Sequence, residues 1–211
     1  MFKYKGHKGA VNSIRMHSSL ALTASGDRSA HIWRFGDINI NSGDISPVKD
    51  FSQAQILNTP VYATKHLDTG ILTCAEWFQD ANDSQGQTEL KFITGSSDGC
   101  IRQYDGGSSQ PNPLWTSDNT NEKILKLILD PSNANVFYSM TSSKLSRIDT
   151  RAPKYEVNTI CTLSEKQVFL DANLKNSEIY YSSSDRSLRK VDVHAPNTAI
   201  TCRKLAKNIQ K

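Results

Sequence analysis

The sequence predicts an all-β chain of repeated antiparallel units, the blades of a β-propeller. Three observations carry that expectation. A closing pattern recurs in LTASGDRSAHIWR (22–34), ITGSSDGCIRQYD (93–105) and YYSSSDRSLRKVD (180–192), with a weaker copy, FYSMTSSKLSRID, at 137–149. Each copy runs from a β-branched or aromatic lead through small hydroxyl residues and a polar turn into alternation that ends on a large side chain, the pattern of a hairpin. The second observation is spacing. The anchors Asp98, Ser142 and Asp185 stand 44 and 43 residues apart, a period that suits four-stranded blades, and the 71 residues from Asp27 to Asp98 imply an insertion. The third is composition: Ser and Asn are abundant, as in a loop-rich all-β protein.

The first unit carries the most particular signature. Gly6-His7, then VNSIRMH, then LTASGDRSAHIWR resembles a repeat of the WD-repeat family, and one subfamily within it above the rest. The resemblance implies that each repeat supplies the outer strand of one blade and three inner strands of the next. On that basis residues 1–35 are an outer strand (FKYKGH) plus the first blade, and 36–60 are a polar insertion. Residues 61–105 are the second blade, with an outer strand near TPVYATKH. Residues 106–151 are a degenerate third blade and 152–193 a fourth, and 194–211 hold an outer strand, TAITCRKL, and a basic tail. Four recognisable blades are fewer than the usual seven of this family, so the expectation is a partial or open propeller with edges that invite pairing.

Both longer connections, GDININSGDISPVKDFSQAQILNTP (36–60) and QDANDSQGQTE (79–89), are polar and lack periodicity. They read as tolerated loops, since neither holds residues at ligand or catalytic spacing. The chain has 211 residues, room for one domain or two small ones. A net charge of +4 falls short of the concentrated positive field of a dedicated nucleic-acid binder. No apolar run approaches the roughly 20 residues of a membrane span, and the first residues do not lead into a signal-peptide core. The expected location is therefore cytoplasm or nucleus. Cys74, Cys100, Cys161 and Cys202 lie far apart with no Cys-x-x-Cys pair, so they read as reduced, mostly buried small hydrophobes rather than metal or redox ligands. No cofactor and no metal are expected.

Thr23, Asp27 and His7 raise the question of catalysis, because a hydroxyl, a carboxylate and an imidazole can form a nucleophile, an orienter and a base. A hydrolase using His7, Asp27 and a nearby hydroxyl is one reading. The family resemblance implies the other, a buried structural network of His7, Thr23, Asp27 and Trp33 that pins a turn against its strands. A buried indole N–H needs an acceptor, and a hydroxyl can accept it and pass the chain on. The set decays along the chain, as expected of a scaffold device that tolerates loss. The second blade keeps Thr94 and Asp98, with His66 near the expected place and Tyr104 for the Trp. The fourth keeps Asp185 but has Tyr181 and Val191, and the third keeps none of the four.

For surface function the most particular segment is IDTR (148–151). It resembles the Trp-Asp-x-Arg box with which some WD-repeat proteins dock onto a cullin-4 ubiquitin ligase adaptor. Asp149 and Arg151 match, and Ile148 departs from it. The tail CRKLAKNIQK carries Arg203, Lys204, Lys207 and Lys211 without aromatic residues for base stacking, so it reads as a solvated tail. The expected function is a non-enzymatic protein–protein interaction scaffold. The resemblance to the particular subfamily implies phosphofurin acidic cluster sorting proteins as partners and an influence on calcium handling. Substrate receptor of the ubiquitin ligase is the alternative within binding functions.

Overall fold

The computed structural model describes residues 2–4, 6–34, 55–57, 60–64, 69–78, 90–109, 112–151, 156–196 and 199–204. Most of the 36–60 insertion, the whole 79–89 loop, His66, and the tail beyond Lys204 lie outside them.

The chain folds into four antiparallel four-stranded sheets arranged as a four-blade β-propeller. Strand β1 (Phe2–Tyr4) precedes the first blade, whose inner meander is β2 (Val11–His17), β3 (Leu20–Ser25) and β4 (Ala30–Arg34). After β5 (Gln55–Leu57), which pairs in parallel with β1, the chain returns as β6 (Tyr62–Ala63), the outer strand on β4. The first blade thus takes its outer strand from beyond the insertion. The second blade is β7 (Leu72–Trp77), β8 (Lys91–Ser96), β9 (Ile101–Asp105) and β10 (Trp115–Thr116). The third is β11 (Lys126–Leu129), β12 (Val136–Met140), β13 (Lys144–Asp149) and β14 (Glu156–Thr162). The fourth is β15 (Phe169–Lys175), β16 (Glu178–Ser183), β17 (Ser187–Asp192) and β18 (Ile200–Lys204).

Among the described residues the core lies between blades. Leu22, Ala24 and Ile32 of the first blade meet Leu72, Ala75, Trp77, Phe92 and Tyr104 of the second. Cys74, Ile93 and Ile101 on the second blade's other face meet Leu127, Phe137 and Ile148 of the third. Ile128, Tyr138, Met140 and Leu145 on the third meet Phe169, Ile179, Tyr181 and Val191 of the fourth. Burial on both faces explains why β3 reads as LALTAS, with Thr and Ser as its only polar side chains and no charge.

The inner strands share a second device. A bulge sits at the same register point in β2, β7 and β15, leaving Asn12, Thr73 and Leu170 out of the ladder. Asn12 donates its side-chain amide to the Leu72 carbonyl of the next blade at 2.7 Å. The Thr73 hydroxyl donates in the same way to the Ile124 carbonyl. At the inner rim, Arg15 pairs with Glu76, and Lys126 with Asp171 at 2.6 Å, joining neighbouring blades.

The expectation of mostly buried cysteines holds for two of the four. Cys74 and Cys161 are buried, Cys100 is half-buried and Cys202 is exposed. Cys202 sits on the outer strand β18, which has no further strand beside it among the described residues.

Candidate functional site

In the first blade the β3–β4 hairpin and the turn entering β2 bring the four candidate residues together. Trp33 donates its indole N–H to the Thr23 hydroxyl oxygen at 2.9 Å. That oxygen lies 2.7 Å from His7 Nε2, and His7 Nδ1 lies 2.9 Å from Asp27 Oδ2. With Asp27 ionised, the tautomer that satisfies all three carries its proton on Nδ1. Thr23 then donates to Nε2, and the chain runs indole to hydroxyl to imidazole to carboxylate.

Asp27 is saturated. Its Oδ2 also accepts the Lys8 backbone N–H at 2.7 Å, and its Oδ1 accepts the Ser29 N–H at 3.0 Å and the Ser29 hydroxyl at 2.6 Å. Burial alone raises the Asp27 carboxyl pKa. The hydrogen bonds from Ser29, Lys8 and His7 outweigh that and hold it well below the usual carboxylate range. His31 completes the packing, its ring stacked on His7 at 3.9 Å between centroids and 9° between planes. The Thr23 hydroxyl is buried, caught among His7, Trp33 and the His31 carbonyl.

The same turn is rebuilt elsewhere with different partners. Asp98 accepts the Cys100 N–H at 3.0 Å, as Asp185 accepts the Ser187 N–H at 3.1 Å, matching the Asp27–Ser29 bond. The residue after each Asp is left-handed: Arg28 at φ 69°, Gly99 at 82° and Arg186 at 65°. Four residues on, an arginine replaces His31 and pairs with the carboxylate, Arg102 to Asp98 at 3.1 Å and Arg189 to Asp185 at 2.6 Å. Thr94 is not drawn into this pairing. Its buried hydroxyl has no hydrogen-bond partner among the described residues, while Tyr104, at the Trp33 position, stacks on Phe92 at 5.2 Å.

The third blade, with Ser142 where the others have Asp, keeps a carboxylate by another route. Glu122, from the turn entering the blade, accepts the Ser142 hydroxyl at 2.9 Å and the Ser143 N–H at 3.0 Å. Burial raises its pKa, but hydrogen bonds from Ser143, Thr141 and Ser142 bring it down to about 2. Glu122, Arg102 and Arg189 were not among the residues singled out from the sequence. The signal for the two arginines is the Asp-x-x-x-Arg spacing shared by 98–102 and 185–189.

At the IDTR segment Asp149 is buried and Arg151 exposed. The Arg151 guanidinium grips Asp149 with two bonds, Nε to Oδ1 at 2.9 Å and a terminal nitrogen to Oδ2 at 2.6 Å, and Arg147 adds a third at 3.2 Å. The Arg151 bonds and then burial set the balance that holds Asp149 well below the usual range. The two residues are one fixed unit, with the guanidinium as its outward part. Among the described residues no group of three or more His, Cys, Asp or Glu is gathered as a metal ion would require.

Blades of four antiparallel strands, each inner hairpin closed by a carboxylate-centred turn and the first by a Trp–Thr–His–Asp chain, define a WD40-type propeller. Residues 1–34 match the family WD domain, G-beta repeat. Residues 1–34 thus carry a WD40 repeat, and the N-terminal region is homologous to WD repeat-containing protein 37. The orangutan (Pongo abelii) protein of that name is 53% identical over 55 residues, 25% of this chain and 10% of that protein. The human (Homo sapiens) one is 65% identical over 37 residues, 17% and 8% respectively. The matched stretch thus spans about a tenth of these relatives' length. The crystal structure of the WD40 beta propeller domain of Doa1 superposes with a TM-score of 0.64 at 18% identity, covering 93% of this chain and 55% of that one. The computationally designed Ika4 protein superposes with a TM-score of 0.61 at 12% identity, over 90% and 94%. Those two likenesses concern the fold alone.

Proposed function

We propose that the chain is a non-enzymatic protein–protein interaction scaffold of the cytoplasm or nucleus. The observation that carries this reading is the enclosure of Thr23. A nucleophile must meet its substrate, whereas this hydroxyl is buried, gives its one proton to His7 and accepts the Trp33 indole N–H. The Trp–Thr–His–Asp chain therefore holds a blade, and function lies on surfaces composed by several blades. The N-terminal homology makes phosphofurin acidic cluster sorting proteins the first partners to test. Purified partner should be retained by the immobilised chain, and an ester substrate should be hydrolysed no faster by the chain than by its Thr23→Val variant. Turnover lost on Thr23→Val would overturn the scaffold reading.

A second reading rests on Arg151, which stands exposed with its orientation set by Asp149. It makes Asp149 and Arg151 a docking unit for a cullin-4 ubiquitin ligase adaptor. An Arg fork presented in this way suits a carboxylate or carbonyl across an interface. Capture of purified adaptor by the chain, abolished in Arg151→Ala, supports it. Equal capture by both removes it.

A further inference from the structure

The third blade differs from the other three at one register point of its hairpin. In the first, second and fourth blades that point carries a basic side chain: His31 opposite Thr23, Arg102 opposite Thr94 and Arg189 opposite Tyr181. Each reaches toward the carboxylate of its own turn. Arg102 pairs with Asp98 at 3.1 Å and Arg189 with Asp185 at 2.6 Å, while His31 lies 3.1 Å from the Ser29 hydroxyl that is bonded to Asp27. In the third blade the point is Ser146, opposite Ser139. The basic side chain is missing there, yet a carboxylate is kept, Glu122 on the Ser142 and Ser143 hydroxyls.

A cleft of about 670 Å³ opens at this register between the second and third blades. Ser139 and Ser146 line it at 3% and 7% exposure, and neither hydroxyl has a hydrogen-bond partner among the described residues. Buried hydroxyls are normally satisfied, so two that face one cleft mark a place for a polar ligand. Glu122 lines the same cleft, with Trp115 and Val157 as apolar walls. Its carboxylate has room for a further donor. Asp185 accepts the Ser183 and Ser187 hydroxyls, the Ser187 N–H and the Gln167 amide, and still takes Arg189. Exposed Asp118 and Lys144 also line the cleft, one charge of each sign, so Glu122 tips its balance to negative.

We propose that this cleft takes an arginine side chain from a partner protein, which supplies in trans what Arg102 and Arg189 supply within their own blades. The guanidinium donates to Glu122 and to the Ser139 and Ser146 hydroxyls, a planar group of five donors meeting a carboxylate and two short acceptors. Its methylene stem lies along Trp115 and Val157. A lysine brings a point charge without the fork and meets fewer of these acceptors. An arginine supplied by a protein presupposes the scaffold reading, yet the two part in experiment. Ester turnover lost on Thr23→Val bears on the scaffold alone, and failure of the peptide titration bears on the cleft alone.

The probe is the pentapeptide Gly-Gly-Arg-Gly-Gly with blocked ends, titrated into the isotopically labelled full chain and followed by amide NMR shifts. Saturable shifts centred on Ser139, Ser146 and Glu122 are expected. The same peptide with citrulline keeps the shape and loses the charge. It should bind about tenfold more weakly or worse, the loss expected when a hydrogen bond between charged groups is given up. Glu122→Gln should weaken the arginine peptide by a similar factor. Ser146→Arg, which fills the cleft from within, should abolish binding while the amide spectrum of the other blades is kept. Should Glu122→Gln fail to fold, Lys144→Gln at the exposed rim decides the sign of the charge: tighter binding supports the proposal, and unchanged or weaker binding overturns it. The absence of saturable shifts at these amides, saturation centred on another surface, equal affinity for the citrulline peptide, or undiminished binding in Ser146→Arg each overturns it as well.

Discussion

Asp27 shows how a single side chain can set a hairpin. Its two oxygens together accept the Ser29 N–H and hydroxyl, the Lys8 N–H and the His7 ring. Removing it leaves those donors unsatisfied in a site from which water is largely excluded, and each stranded group costs about 1–3 kcal/mol. Asp27→Ala should therefore lower unfolding free energy by about 2–3 kcal/mol in a denaturant titration. Trp33→Phe keeps most of the ring volume and deletes one donor, so a smaller loss, about 1 kcal/mol, is expected. This set was legible in the sequence because blade one holds all four residue types at fixed offsets. Arg102 and Arg189 were less so: a strand residue four places past a turn reads as solvated unless the turn's carboxylate is known to face it. Glu122 was hidden because its partners, Ser142 and Ser143, lie twenty residues on, and only the folded third blade brings them together.

At the scale of the hairpin, the recurring turn needs a left-handed residue after its Asp, and the chain supplies Arg, Gly and Arg at that position. A β-carbon costs about 1–2 kcal/mol there. At Gly99 a Cβ would also fall 2.6 Å from the Asn119 side-chain oxygen and 3.0 Å from the Glu122 carbonyl. Gly99→Ala should cost about 2 kcal/mol by the same titration, local to the second blade. The periodic strands were visible from alternation and the near-44-residue spacing. The outer strand expected near TPVYATKH is β6, which edges the first blade, whereas β10, of two residues, carries too little pattern to be placed by sequence, and its position follows from the sheet it edges.

Over the whole molecule, the turn carboxylates give stability a common dependence on pH. Glu122, ordinarily at 4.5, is held at about 2, and Asp27, Asp98, Asp149 and Asp185 are all lowered as well. A carboxylate with a lowered folded pKa contributes fully above its unfolded pKa, and the contribution fades as pH falls toward the folded one. The thermal midpoint should thus be flat at neutral pH and drop as pH falls below about 4.5. Glu122→Gln should make the drop shallower, and an unchanged slope would remove Glu122 from the account. The claim on which both the fold and the functional reading turn is that Trp33, Thr23, His7 and Asp27 act as one connected support. A double-mutant cycle on unfolding free energy, with Thr23→Val and Asp27→Ala, tests it most directly. The two residues do not touch each other and communicate through His7. A connected chain predicts a coupling of about 1 kcal/mol, within the range seen for residues of one hydrogen-bond network, and strictly additive losses would contradict it.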